Sequence, residues 1–271
     1  MARGRTALAL GVALAFVVTA TAVHGTAGHG RSTNSAGSAS RALLAAAGGL
    51  PSPERPAFVV GTPTRLRKGE TSARFAPVMR EVEARRRPSR SAGRVAELAR
   101  ETPEGTTNIV LVLAGTTRED GQWVRVRLPV LPNGQTAWVP RRALGGYQFV
   151  HTRLVVDRER FTATLFSDGH AVFHAAIGIG RPESPTPSGD FYIRDKLSGF
   201  GNPFYGPIAY GTSARSAVLT DWPGGGFIGV HGTNQPNLIP GRISHGCIRM
   251  RNDDILRLSR LMPVGTPLTI E

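Results

Sequence analysis

One cysteine, Cys247, is all that these 271 residues contain, so no disulfide can form within the chain. Lysine is scarce: Lys68 and Lys196 are the two in the sequence, and the net charge of +14 rests on arginine. Aromatic residues make up 7%. No cysteine near the N-terminus is available for a lipid anchor, and the apolar stretch Ala7–Val18 falls short of the roughly 20 residues that a full membrane span needs.

What is present at that end has the shape of an export signal. Arg3 and Arg5 precede the apolar stretch, and Ala20-Thr21-Ala22 fits a small-x-small cleavage site. Residues 1–22 are therefore expected to be a signal peptide, or an uncleaved anchor that tethers the chain to a membrane. Outside the cytoplasm, a basic chain meets wall polymers and lipid headgroups rather than nucleic acid. The arginine excess, with abundant Ala, Gly and Pro, also fits simple codon bias.

Residues 23–57 are Gly, Ser, Ala, Thr, Pro and Arg with almost no aromatic, and read as a flexible, disordered linker. Strand patterns begin further on. Ile109-Val110-Leu111-Val112-Leu113 is a buried-strand run, and Trp123 to Leu128 alternates apolar and basic residues. Pro132-Asn133-Gly134 marks a tight turn before Ala137-Trp138-Val139. Residues 73–144 resemble the small SH3-like barrels that precede catalytic domains in wall enzymes. From Tyr147 to the end, several short strands are expected, with a hairpin at Ser167-Asp168-Gly169. Asn252 is expected to cap a helix carrying Ile255, Leu258, Leu261 and Met262. The fold class is mainly β.

The lone cysteine sits in Ser244-His245-Gly246-Cys247-Ile248-Arg249-Met250, and a second histidine stands 16 positions upstream in His231-Gly232-Thr233-Asn234. An exported protein ordinarily uses cysteine in pairs, so an unpaired one flanked by glycine and histidine points to chemistry. A thiol becomes a nucleophile when an imidazole takes its proton, so the pairing is expected to raise the thiolate fraction. Gly246 lets main-chain N–H groups approach a substrate oxyanion. His231 can reach Cys247 through folding; His245, two residues away, is expected to orient rather than to act as base. The three together could instead ligate zinc, but the spacing fits no common zinc pattern. His170 and His174 read as ordinary strand or surface residues. Thr186 and Pro187 either line a groove or shape a turn; Tyr205, Tyr210 and Trp222 either wall a cleft or pack in the core.

These motifs, with Gly178-x-Gly180 and Thr186-Pro187-x-Gly189-x-Phe191, resemble those of the L,D-transpeptidases with a YkuD-type catalytic domain. The resemblance covers residues 147–271 and implies a β-sandwich or barrel with a C-terminal helix. It implies acyl transfer on peptidoglycan stem peptides, donor and acceptor, without cofactor or metal. Cys247 would be the nucleophile, His231 the base and acid, and main chain around His245, Gly246 and Cys247 the oxyanion site. The Gly232 carbonyl would orient the imidazole, and Arg249 could hold a substrate carboxylate by a forked contact. Acylation of Cys247 by carbapenems is implied as well. Water or a protein amine as acceptor, and a non-catalytic wall binder, are the competing readings.

Overall fold

The computed structural model describes residues 72–198, 202–219 and 226–271. The expected signal peptide, the expected linker and Trp222 lie outside them. The described residues are mainly β, with one α-helix among them.

The first seven strands are β1 (Ala73–Pro77), β2 (Val82–Arg85), β3 (Arg94–Leu98), β4 (Ile109–Arg118), β5 (Gly121–Arg127), β6 (Thr136–Pro140) and β7 (Gln148–Val150). They pair antiparallel in the order β3-β2-β6-β5-β4-β1-β7. β7, which follows Tyr147, thus completes the first sheet by pairing with β1.

The continuous apolar run in β4 has a specific cause. Successive side chains of a strand face opposite ways, so Val110 and Val112 fill the core of the first sheet. Ile109 and Leu111 face the other way and pack with Phe75, Val150 and Tyr192. Both faces are covered, so neither can be polar. β5 shows the alternating case: Val124 and Val126 are buried and Arg125 is exposed. Trp123 is also buried, and its indole N–H donates to Asp120 at 2.8 Å.

The second sheet has ten strands: β8 (Thr152–Asp157), β9 (Thr162–Ser167), β10 (His170–Ala176), β11 (Gly178–Gly180), β12 (Gly189–Ser198), β13 (Ile208–Arg215), β14 (Phe227–His231), β15 (Gly241–Ser244), β16 (Ile248–Arg249) and β17 (Pro267–Ile270). Their order is β10-β9-β8-β17-β12-β13-β14-β16-β11-β15. The hairpin joining β9 to β10 turns at Asp168 (φ 49°) and Gly169 (φ 83°), as two left-handed residues in a tight hairpin must. The core is built on Leu154, Phe173, Phe191, Ile193, Val230 and Met250, closed by Ile255 and Leu258 of the helix α1 (Asn252–Leu261).

Two expectations for that helix are corrected. Met262, expected on it, is the residue just past its end, while Leu261 closes it and is exposed. Asn252 is the first helical residue, following Arg251 at the cap position, and no side chain caps the helix. Its carboxamide oxygen instead accepts the N–H of Thr233 at 2.9 Å. The loop after His231 captures the group that sequence alone assigns to the helix end.

Polar groups tie the two sheets together beside the apolar seam. Tyr192 Oη donates to the Ile109 carbonyl at 3.0 Å. Asn133, in the Pro132-Asn133-Gly134 turn, donates to the carbonyl of Arg215 at 2.7 Å and accepts its N–H at 3.0 Å. The buried Arg194 pairs with Glu104 at 2.7 Å and lies over the Phe227 ring, 3.8 Å from its centroid.

Candidate active site

β14 and β16 run parallel, with Val230 opposite Ile248 and His231 opposite Arg249. That register sets Cys247, just before β16, beside Gly229 of β14. The Gly229 N–H donates to Cys247 Sγ at 3.4 Å. Gly229 and His231, two apart on a strand, face the same side. A Cβ built on Gly229 would stand 3.7 Å from His231 Cδ2 and 3.8 Å from Cys247 Sγ. The thiol and the imidazole therefore both border the space above the bare backbone of one glycine.

The imidazole is buried at 2% exposure. Its Nδ1 lies 2.6 Å from the Gly232 carbonyl oxygen. A carbonyl can only accept, so Nδ1 carries the hydrogen and Nε2 presents its lone pair. Nε2 is buried and makes no hydrogen bond among the described residues; no hydrogen bond joins it to Sγ in this resting arrangement. Tyr205 meets the ring edge-on, with centroids 5.1 Å apart, and Phe204 lies at 6.0 Å. Gly232 comes so close to Gly206 that a Cβ on it would approach the Gly206 Cα to 3.0 Å.

Burial governs the charge state of the pair. It lowers the His231 pKa to about 4, the Arg249 charge acting the same way and the Gly232 bond opposing. Burial also pushes the Cys247 thiol up, against the Gly229 N–H and Arg249. The expectation that the histidine raises the resting thiolate fraction is corrected: at neutral pH both groups are neutral, because desolvation penalises charge on each. Such a pair suits general-base transfer during attack better than a standing ion pair.

A stability consequence follows. The His231 pKa is 6.5 in an unfolded chain and about 4 when folded, so between these values the unfolded state binds more protons. The native state carries no penalty above pH 6.5 and loses stability as pH falls from 6.5 towards 4, by on the order of 3 kcal/mol in total. Denaturant unfolding between pH 7 and 4 should therefore show wild type losing this much more stability than His231→Gln. Parallel losses would contradict the buried neutral ring.

Cys247 is half-buried and lines a cleft of about 400 Å³, measured out to its open mouth. His231, Arg249, Phe204, Tyr205 and Phe227 line it as well. His245 lines the same cleft and is exposed, whereas His231 has its ring oriented and its lone pair turned from solvent. Arg249 is buried to 4% exposure, lies over Phe204 at 4.3 Å and has its pKa lowered, chiefly by burial. Gly246 has φ +118°, a conformation that side chains disfavour, and a Cβ there would come within 2.9 Å of Ile228.

Other candidates stand elsewhere. Thr186 is buried at 1% exposure and does not line the cleft; its hydroxyl is engaged with Gly180 and Gly246. Tyr210 packs in the core, its hydroxyl on the Met262 carbonyl at 3.1 Å. Asn234, His170 and His174 are exposed, and His174 bonds Thr164 on β9. Among the described residues no cluster of three His, Cys, Asp or Glu could hold a metal. Gly229, Phe204 and Ser244 were not singled out as site residues by the sequence, and Asn252 only as a helix cap; a glycine between Ile228 and Val230, two before His231, is a local signal for the first.

Residues 151–270 match the family described as the L,D-transpeptidase catalytic domain, YkuD. YkuD of Bacillus subtilis (strain 168), which carries an L,D-transpeptidase name, is 35% identical over 109 residues, covering 40% of this chain and 59% of that protein. A namesake from Bacillus licheniformis is 33% identical over 118 residues, covering 44% and 64%. The chain thus spans less than two thirds of either relative. Bacillus subtilis YqjB, also bearing an L,D-transpeptidase name, is 32% identical over 125 residues, covering 43% of this chain and 69% of its own length. The solved catalytic domain of an E. faecium L,D-transpeptidase aligns at 28% identity and TM-score 0.34, over 44% of this chain and 96% of that one. With the family match over residues 151–270 and two thirds of YqjB covered at 32% identity, this chain belongs to the L,D-transpeptidase family with a YkuD-type catalytic domain.

Proposed function

We propose that the protein is an exported cysteine L,D-transpeptidase that makes 3→3 cross-links between peptidoglycan stem peptides. The observation that carries this reading is the convergence of Cys247 Sγ and the oriented His231 ring over Gly229, in an open cleft.

Cys247 attacks the carbonyl of the third residue of a donor tetrapeptide. As the S–C bond forms, His231 Nε2 takes the thiol proton and the carbonyl electron pair moves onto oxygen. That pair returns as the C–N bond to the terminal D-alanine breaks, and the departing nitrogen receives the proton from His231. A thioester remains. The side-chain amine of an acceptor stem attacks it, gives a proton to His231, and expels Cys247, which is reprotonated. A neutral resting pair is suited to this sequence, since Nε2 must be free to accept. Arg249 would hold a substrate carboxylate, and its buried Nε has no partner among the described residues. The chemistry needs no cofactor.

The export signal at residues 1–22, cleaved or retained as a tether, puts the enzyme beside its polymer. The first module, proposed to be SH3-like, serves as a packing support whose contact with glycan would be additional. Incubation with stem tetrapeptide, followed by mass analysis, tests the reaction. A cross-linked dimer with released D-alanine is expected. Tripeptide without dimer would replace the reading with a carboxypeptidase, and unaltered substrate would overturn it.

A further inference from the structure

Thr186 lies 61 positions before Cys247 in sequence, is buried, and stands outside the cleft. Its Oγ1 accepts the Gly180 N–H at 2.9 Å and is 2.7 Å from the Gly246 carbonyl oxygen. A hydroxyl has one hydrogen; with Gly180 donating into the oxygen, that hydrogen goes to Gly246. A side chain on Gly180 would run into the main chain of Ser184 and Thr186, so this packing is tight.

The Gly246–Cys247 peptide is trans, since the cis bonds are Leu131–Pro132 and Ile239–Pro240. In a trans peptide the C=O and the following N–H point in opposite directions. Pinning the Gly246 carbonyl onto the buried Thr186 therefore fixes the Cys247 N–H on the opposite side of the peptide, away from Thr186. Gly246 cannot supply that donor, because its own N–H is held by Ser244 Oγ at 3.1 Å. Ser244 Oγ in turn donates to the Cys247 carbonyl at 2.5 Å, fixing the other side of the nucleophile. With φ at +118°, Gly246 has many neighbouring conformations open to it, so the plane needs an external clamp.

We propose that Thr186 is a positioning residue for acyl transfer: by clamping the Gly246 carbonyl it aims the Cys247 N–H at the oxyanion. The inference rests on the reading of Cys247 as the acylated nucleophile. It separates two reactions of one thiol. Attack on a carbonyl passes through an oxyanion and needs the aimed N–H; alkylation by iodoacetamide displaces iodide at a saturated carbon and needs no such donor.

The test compares wild type, Thr186→Val and Thr186→Ser with the carbapenem meropenem and with iodoacetamide. With meropenem the S–C bond forms, the ring C–N bond breaks, and the ring nitrogen takes up the thiol proton, a step read by intact mass. Thr186→Val should be acylated about 10²-fold more slowly, the size of a lost oxyanion donor. Its alkylation rate should stay within about twofold, and Thr186→Ser should restore acylation to within a few-fold. Equal acylation of Thr186→Val and wild type would overturn the inference alone. Equal loss of acylation and alkylation would overturn it as well, because it would mark a general loss of structure. Failure of wild type to acylate would overturn the transpeptidase reading itself.

Discussion

Cys247→Ala is expected to abolish cross-link formation, lowering the rate by on the order of 10⁴-fold or more, as loss of a covalent nucleophile does in other acyl-transfer enzymes. The chain has no second thiol to substitute, and the hydroxyl nearest in sequence is engaged: Ser244 Oγ is bonded to the Cys247 carbonyl and the Gly246 N–H. The stability cost should be small by comparison. The side chain is half-buried and, among the described residues, accepts a weak hydrogen bond from the Gly229 N–H, so about 1 kcal/mol is at stake. The variant therefore separates chemistry from folding. Product formation by a well-folded Cys247→Ala protein would favour a different nucleophile, and unchanged cellular function with no product from either form would favour a wall-binding role.

His231→Gln is expected to lower the acylation rate by about 10²- to 10⁴-fold, the usual contribution of a positioned base. The pH dependence carries more information than the rate. Protonation of Nε2 removes its lone pair, so wild-type activity should be lost as pH falls through about 4, well below the 6.5 of an unperturbed imidazole. Burial is the principal cause, so the acid limb belongs to the fold rather than to substrate. Iodoacetamide alkylation at neutral pH should also slow in His231→Gln, since the oriented Nε2 of His231 is the acceptor proposed for the thiol proton. An acid limb near 6.5, or an unchanged alkylation rate, would assign activation to a different group.

The cleft owes part of its shape to residues far from it in sequence. Arg194 pairs with Glu104, in the loop between β3 and β4, and lies over Phe227, which lines the cleft; Asn133 bonds both main-chain groups of Arg215, one residue before the cleft-lining Ser216. The first module is thus a packing element of the second.

How much of this could be read beforehand differs by residue. The gathering of Cys247, His231 and Arg249 at one cleft was legible, because their motifs lie on two segments that the β14–β16 register brings together. The strand at Ile109 was legible as buried, though only the fold shows that one face belongs to the seam around Tyr192. The clamp of Thr186 on Gly246 was hidden by sequence distance, as were Asn133 on Arg215 and Glu104 on Arg194. Asn252 followed a local rule and was then claimed by Thr233, a tertiary competitor. The neutral state of the pair was illegible in principle, because desolvation is a property of the assembled site.

The central claim is that the acyl group passes through the sulfur of Cys247. Brief exposure of the full chain to stem tetrapeptide without acceptor, acid quenching, and peptide mapping by mass test it directly. The account predicts a tripeptide acyl group on the Cys247 peptide, removed by hydroxylamine as a thioester is. Released D-alanine with Cys247 never modified, or an acyl group on any other residue, would contradict it.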